Sequence, residues 1–363
     1  MTLHYDYHVR WKNFRGFRDT KWVRIAPLTI VIGANSAGKS SLLAPLILML
    51  QTIQSKDPNT PLVTRGSSTD IGFYKDYSYL HNVDLDIEFS FQFHTHDRKK
   101  GEKLKAVGDY PPGEFTSTFT HNASGKDLKL LSYELRDIFR RQMFSIRQTD
   151  NGYNIDTKNL GQMSSDELKA ISNSSPVNFL FSSSSVLYHL QRLREKSKDE
   201  AFSFENLSDS FDKYLKIASY AYEDVRRQFA NFQYIGPHRE QPKRAYDYYG
   251  DEPEGVGKEG EHFAEILKNN TDDILQRVNR WLKRMGIGKG IEIDNLSNNL
   301  FSLYLRSVNG KDRNNIADLG FGVSQILPVL VQLLAARKAS LTLIKQPELH
   351  LNPKLDTRNN LWC

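Results

Sequence analysis

The sequence predicts an α/β chain, a mixed β-sheet layered with helices and carrying an inserted, mainly helical subdomain. Three observations support this. The apolar run "LTIVI" enters a glycine-rich loop and then the apolar helix pattern of Ser40 to about Gln54. The stretch "LDIEFSFQFH" places Leu85, Ile87, Phe89, Phe91 and Phe93 on one face, the period of a half-buried strand. A second glycine loop opens the helix pattern "GFGVSQILPVLVQLLAARKA", which is followed by the buried-strand pattern "SLTLI".

Taken in order, His4 to Ile32 reads as strand, turn at Gly16, strand, and then a buried strand after Pro27. The helix from Ser40 ends in "SKDPNTP", with Pro58 and Pro61. From about 95 to 230, charged or Ser-rich loops separate helix-like pieces such as "FENLSDSFDKYLKIASYAYEDVRRQF", hence the expectation of a helical insertion. "FQYI" is a short strand closed by Gly236 and Pro237. "ILQRVNRWLKRMGI" is an amphipathic helix stopped at Gly286, and "LFSLYLRS" returns to strand. The expected division is therefore 1–94, 95–230 and 231–363, with the outer two parts forming one α/β body.

Composition narrows the function classes. Lys plus Arg is 49 against 43 for Asp plus Glu, a net charge of +6 over 363 residues, which permits a polyanionic partner such as DNA without requiring one. Cys363 is the single cysteine, so an intrachain disulfide and a cysteine metal cluster are excluded. The apolar runs "LLAPLILML" and "ILPVLVQLLAA" fall short of the roughly 18 residues of a membrane span. The N-terminus lacks the apolar core of a signal peptide, so a cytoplasmic location is expected.

Gly33, Ala34, Asn35, Ser36, Ala37, Gly38, Lys39 and Ser40 fill the pattern G-x-x-x-x-G-K-[ST] between an expected strand and an expected helix. The glycines let successive N–H groups turn toward a phosphate, and the helix start at Ser40 and Ser41 adds its positive end. Lys39 would reach the outer phosphates, while the Ser40 hydroxyl is a ligand for Mg²⁺. ATP and Mg²⁺ are the expected cofactors. The alternative is a glycine turn that merely precedes a helix.

With "WKNFRGF", "GANSAGKSSLL", "GFGVSQ" and "QPELHLNP" present in this order, the chain resembles ABC-type ATPase heads of the SMC/RecF/OLD group. More closely, it resembles the bacterial AAA family ATPases of defence-like gene clusters. The resemblance implies a P-loop NTPase fold and a homodimer whose two heads enclose two nucleotides. Gly322 and Ser324 would then face the partner's γ-phosphate, and Asn13 and Arg15 would lie beside the nucleotide. A coupling glutamine is also implied, with Gln51, Gln54 and Gln92 as candidates. It further implies action on DNA, in repair or phage defence, or on an effector protein such as a nuclease.

The pattern breaks after "LTLI". Such heads carry there an acid for the Mg²⁺ shell and then a glutamate for the attacking water. Here Lys345 and Gln346 occupy the two positions, with Glu348 two residues on and Asn352 where a histidine is common. A protonated lysine repels Mg²⁺, and glutamine can orient water without accepting its proton. Slow turnover or none is expected, with Gln346 and Glu348 as the candidate catalytic groups. The polar "KLDTRNNLWC" after Pro353 suggests a truncated or frame-shifted relative.

Other clusters are weaker. "HDRKKGEKLK", "RDIFRRQ" and "YHLQRLREKSK" suit either a nucleic-acid backbone or plain solvated helix faces. His94 and His96 lack a third metal ligand at useful spacing. "GPHREQPKR" is a rigid basic loop for a phosphate, or a surface turn. Three readings follow: an ATPase, a non-hydrolysing ATP sensor or scaffold, and a basic DNA-binding protein with a secondary nucleotide site.

Overall fold

The computed structural model describes residues 7–93, 112–121, 128–197, 207–337 and 340–349. It divides into two compact units, Met1–Ala230 and Asn231–Cys363.

The first unit is built on an eight-stranded sheet. Its strands are β1 (Tyr7–Phe14), β2 (Phe17–Asp19), β3 (Val23–Ile25), β4 (Ile87–Phe93), β5 (Pro112–His121), β6 (Leu128–Asp137), β7 (Gln142–Thr149) and β8 (Gly152–Asp156). The order is β2-β1-β4-β5-β6-β7-β8, with β3 also on β1. Alternation explains the sheet: Val9, Trp11, Ile87, Phe89, Phe91, Phe115 and Phe119 all point into the core. Trp11 meets Phe89 edge-on at 5.3 Å and Phe91 at 5.2 Å. Arg10 grips Asp19 through two bonds of 2.9 and 2.6 Å across the β1–β2 hairpin, holding that carboxylate well below its ordinary pKa range.

Helices α1 (Lys39–Ile53), α2 (Tyr74–Tyr77), α3 (Ser165–Asn173), α4 (Ser183–Ser197) and α5 (Asp209–Ala230) complete this unit. A reciprocal Ser164–Glu167 cap starts α3. In α5 the buried residues Phe211, Tyr214, Leu215, Ala218, Ala221, Val225 and Phe229 recur at three and four, so one face packs inward.

Two expectations are corrected here. The 95–230 stretch is not mainly helical at its start, because 112–156 forms β5 to β8 and continues the sheet. Phe115, Ser117 and Phe119 share a buried face with period 2, which the surrounding polar loops obscure. Leu28–Ile32 is not a buried strand either: Leu28, Ile30 and Ile32 are exposed. Pairing on β1 is taken by β3, and no described residue pairs with the segment after Pro27.

The second unit contains β9 (Phe232–Ile235), β10 (Tyr246–Asp247), α6 (Phe263–Asn269), α7 (Ile274–Arg284), β11 (Gly290–Ser297), β12 (Leu300–Arg306), β13 (Arg313–Asn315), α8 (Phe321–Ala335) and β14 (Leu341–Ile344). β10, β12, β11 and β13 form an antiparallel sheet, while β14 lies parallel to β9 from Leu341↔Phe232 to Ile344↔Ile235. Val278, Leu282, Leu303, Leu327 and Val331 are central in its core. Gly286 ends α7 at φ +70, with Ile287 N–H returning to Leu282 O. No helix among the described residues is long and apolar enough to cross a membrane.

Candidate functional site

The glycine-rich loop lies at the start of α1. Ala37 N–H turns back to Ala34 O at 3.3 Å, and Leu42 N–H to Gly38 O at 2.9 Å. Gly38 is the residue preceding the helix, at φ +87, and the helix start carries no side-chain cap. A Cβ on Gly38 would stand 3.2 Å from the Phe17 ring. The backbone angle favours glycine, and the Phe17 ring would have to give by a few tenths of an ångström to admit a Cβ. Gly33, Ala34, Asn35, Ser36, Ala37 and Ser40 are exposed, with Lys39 and Ser41 half-buried. The Lys39 ammonium donates to Gly33 O and Ala34 O, each at 2.7 Å. An uncapped helix start, an exposed loop and a lysine folded over it together fit a phosphate.

What holds this loop is the helix behind it. Ala44 to Thr52 is buried on every side, and Trp11 Nε1 donates to Leu42 O at 2.8 Å, tying α1 to the sheet. Pro45 lies inside the helix, which leaves the Ser41 carbonyl without its helical donor. Gly38→Ala is expected to cost about 1–2 kcal/mol from the left-handed angle alone. A lower denaturant midpoint checks this; an unchanged midpoint contradicts the described loop geometry.

Asn13 and Arg15 flank the β1–β2 turn, with φ +54 and +50. Asn13 Nδ2 donates to Asp86 O at 2.8 Å, and Arg15 N–H to Tyr77 O at 2.7 Å. Arg15 is half-buried, and burial lowers its pKa below the ordinary guanidinium value. The hairpin they sit on reaches the loop through Phe17, a contact the sequence reading did not include. Ser36 and Gln346 also take positive φ, as do Lys21, Leu80, His81, Arg140 and Asn178 outside the candidate positions.

In the second unit three sequence motifs are fastened to one another. The loop after β9 is held by Gly236 N–H on Lys258 O and Glu240 N–H on Glu259 O, both 2.8 Å. Arg239 Nη2 donates to Lys345 O at 3.0 Å and Gln346 O at 3.2 Å. Gln325 Nε2 donates to Arg239 O at 3.4 Å, and Arg244 forms a bidentate pair with Asp318 ahead of α8. Lys345 N–H continues the β9–β14 pairing onto Ile235 O, its ammonium lying 5.8 Å from the Tyr234 ring centre. Gln346 and Glu348 are exposed on the turn that follows.

Ser324 is only 4 % exposed, so its hydroxyl faces inward in this conformation; Gly322 is half-buried, while Asp318 and Gly320 are exposed. Gln51 is spent on Val63 O and on both the N–H and the O of Thr69, and Gln92 on Glu114 and Arg140. Gln54 follows α1 and is exposed. In "RDIFRRQ", Arg136 pairs with Glu134 and Arg141 with Asp137, internal roles rather than a free basic face. His94, His96, Asn352 and the segment after Pro353 lie outside the described residues.

Comparison with known proteins adds the family. Among curated proteins none matches the sequence. One solved structure it resembles is the Smc head domain with a coiled coil and joint derived from Pyrococcus yayanosii. That likeness has 9% identity, covers 95% of this chain and 86% of that one, and has a TM-score of 0.33, too distant to say what this chain does. The family model of the AAA ATPase domain matches residues 8–357. The chain belongs to the AAA ATPase domain family, and its domain is of the ATP-binding kind.

Proposed function

We propose that the chain binds ATP through Gly33–Ser41 and hydrolyses it slowly or not at all, serving as a nucleotide-dependent switch. The carrying observation is at the end of β14, where Lys345 and Gln346 occupy the positions that the resemblance gives to the metal acid and the catalytic base. Glu348 is the nearby carboxylate, exposed on the turn.

The residues present fit ATP better than a protein-held metal. Ser40 offers one exposed hydroxyl, and no group of three His, Cys, Asp or Glu among the described residues is placed to hold an ion. Mg²⁺ usually keeps one or two protein carboxylates besides the phosphates, and Lys345 supplies none. Mg²⁺ on this protein would be carried mainly by the nucleotide and Ser40.

Calorimetric titration tests the binding half: saturable uptake of one ATP per chain is expected, and no heat or competition at millimolar ATP contradicts it. The same reading extends to a second copy, met at the exposed Asp318–Gly320 edge. Light scattering is expected to show the mass doubling with ATP. A mass unchanged at saturating ATP removes the paired-head form of the switch.

A further inference from the structure

The outer face of α7 is charged and ordered by sign. Asp272 and Asp273 just before the helix, then Gln276, Arg280, Lys283 and Arg284, are exposed and recur in steps of three and four, so they form one stripe. The opposite face, with Ile274, Leu275, Val278 and Leu282, is buried. Asp272, Arg280 and Lys283 make no ion pair among the described residues, while Asp273 meets Arg277 at 3.4 Å and the Arg284 guanidinium lies 4.7 Å from the Trp281 ring centre. A helix dipole favours acids at the start and bases at the end. It does not explain why the turns beyond each end carry the same signs. Asp251, Glu252 and Glu254 are exposed beside the start, where Asn269 Nδ2 donates to Asp251 O at 2.7 Å and Leu275 N–H to Asn270 O at 3.0 Å. Lys289 and Lys311 are exposed beyond the end, where Lys289 N–H donates to Arg306 O at 2.8 Å and its ammonium lies against Gly310.

We propose that this face docks a second copy of the chain, the two α7 helices lying antiparallel about a two-fold axis at Val278. The spacing is self-complementary. Asp272 and Arg284 stand equally far from Val278 in the sequence, as do Asp273 and Lys283, and Gln276 and Arg280. In the pair, Asp272 faces the partner's Arg284, Asp273 faces the partner's Lys283, and the Gln276 amide oxygen accepts from the partner's Arg280, each contact occurring twice. The same axis carries the turn of Asp251, Glu252 and Glu254 toward the partner's Lys289 and Lys311. A parallel arrangement would set acid on acid and base on base, which is repulsive. Because the facing groups are exposed ions, salt weakens the contact. It uses neither the Gly33–Ser41 loop nor the Asp318–Gly320 edge, so it needs no nucleotide and does not rest on the ATP-binding reading.

The test is sedimentation of the full chain without nucleotide, at about 50 mM and about 500 mM salt. Wild type is compared with an all-acidic face, Lys283→Glu with Arg284→Glu, and an all-basic face, Asp272→Lys with Asp273→Lys. Asp273 makes no side-chain cap, so its replacement removes none. Wild type is expected to form a two-copy species at low salt that dissociates at high salt. Each double variant alone pairs about 10-fold or more weakly, since two ends become repulsive at once. An equimolar mixture of the two pairs again, because each acid-bearing end then meets a basic one. Should a double variant lose its thermal midpoint, Gln276→Arg, which sets a cation against the partner's Arg280, is expected to weaken pairing in its place. A wild type that stays single at low salt overturns the proposal. So does a folded variant that pairs as tightly as wild type, or a mixture of folded variants that stays single. None of these results bears on the ATP reading, whose failure shows as a wild type that binds no ATP.

Discussion

Lys39→Ala is expected to weaken ATP binding about 10- to 150-fold, since a hydrogen bond to a charged group is worth about 1.5–3 kcal/mol. In the described loop the ammonium rests on the carbonyls of Gly33 and Ala34 at 2.7 Å each. Both carbonyls belong to exposed residues, so water replaces the lysine there when it turns to a phosphate. The substitution leaves the fold in place, because the buried run of α1 begins only at Ala44 and Trp11 holds Leu42 independently. A midpoint within about 0.5 kcal/mol of wild type is expected, as for most surface changes. Wild-type ATP affinity in Lys39→Ala, measured by calorimetry, refutes the phosphate role of the loop.

The second large effect is a gain. Restoring the two acids with Lys345→Glu and Gln346→Glu is expected to raise ATP turnover about 100-fold or more, the usual contribution of a positioned general base. The turn tolerates the change. Lys345 takes part in the sheet through its backbone N–H, which any residue keeps, and Gln346 already sits at φ +48, where glutamate is no worse. The lost ammonium contact with the Tyr234 ring, 5.8 Å away, is worth about 0.5–1 kcal/mol. Phosphate release in the double variant decides the matter: no gain, with ATP still bound, removes β14 as the position of the missing acids.

The loop and helix of the candidate site were legible because their geometry is local. The spacing from Gly33 to Ser40 specifies a loop and a helix start, and α1 runs Lys39–Ile53 where the apolar pattern had placed Ser40 to about Gln54. Gly286 stops α7 for a reason visible in one residue, its freedom at positive φ. The illegible parts depend on distant neighbours. β5 to β8 are held by pairings between strands, and polar residues such as Thr116, Thr118 and Ser132 mask their alternation. The Phe17–Gly38 contact joins a hairpin to a loop across 21 positions, with only Gly16 hinting that the chain reverses there. Arg239 lies among prolines and charges, a composition shared with any surface turn, and only burial under the β14 turn separates the two.

This AAA ATPase domain is expected to hold ATP without spending it at an ordinary rate. Steady-state phosphate release by the wild-type chain at saturating ATP and Mg²⁺, with bound nucleotide confirmed in the same sample, tests it most directly. The predicted result is full occupancy with turnover below about 0.01 s⁻¹, against a usual enzyme range beginning near ~1 s⁻¹. Turnover at or above ~1 s⁻¹ that disappears in Lys39→Ala contradicts that expectation, because the chain would then hydrolyse ATP with Lys345 and Gln346 at the positions the resemblance gives to the acids.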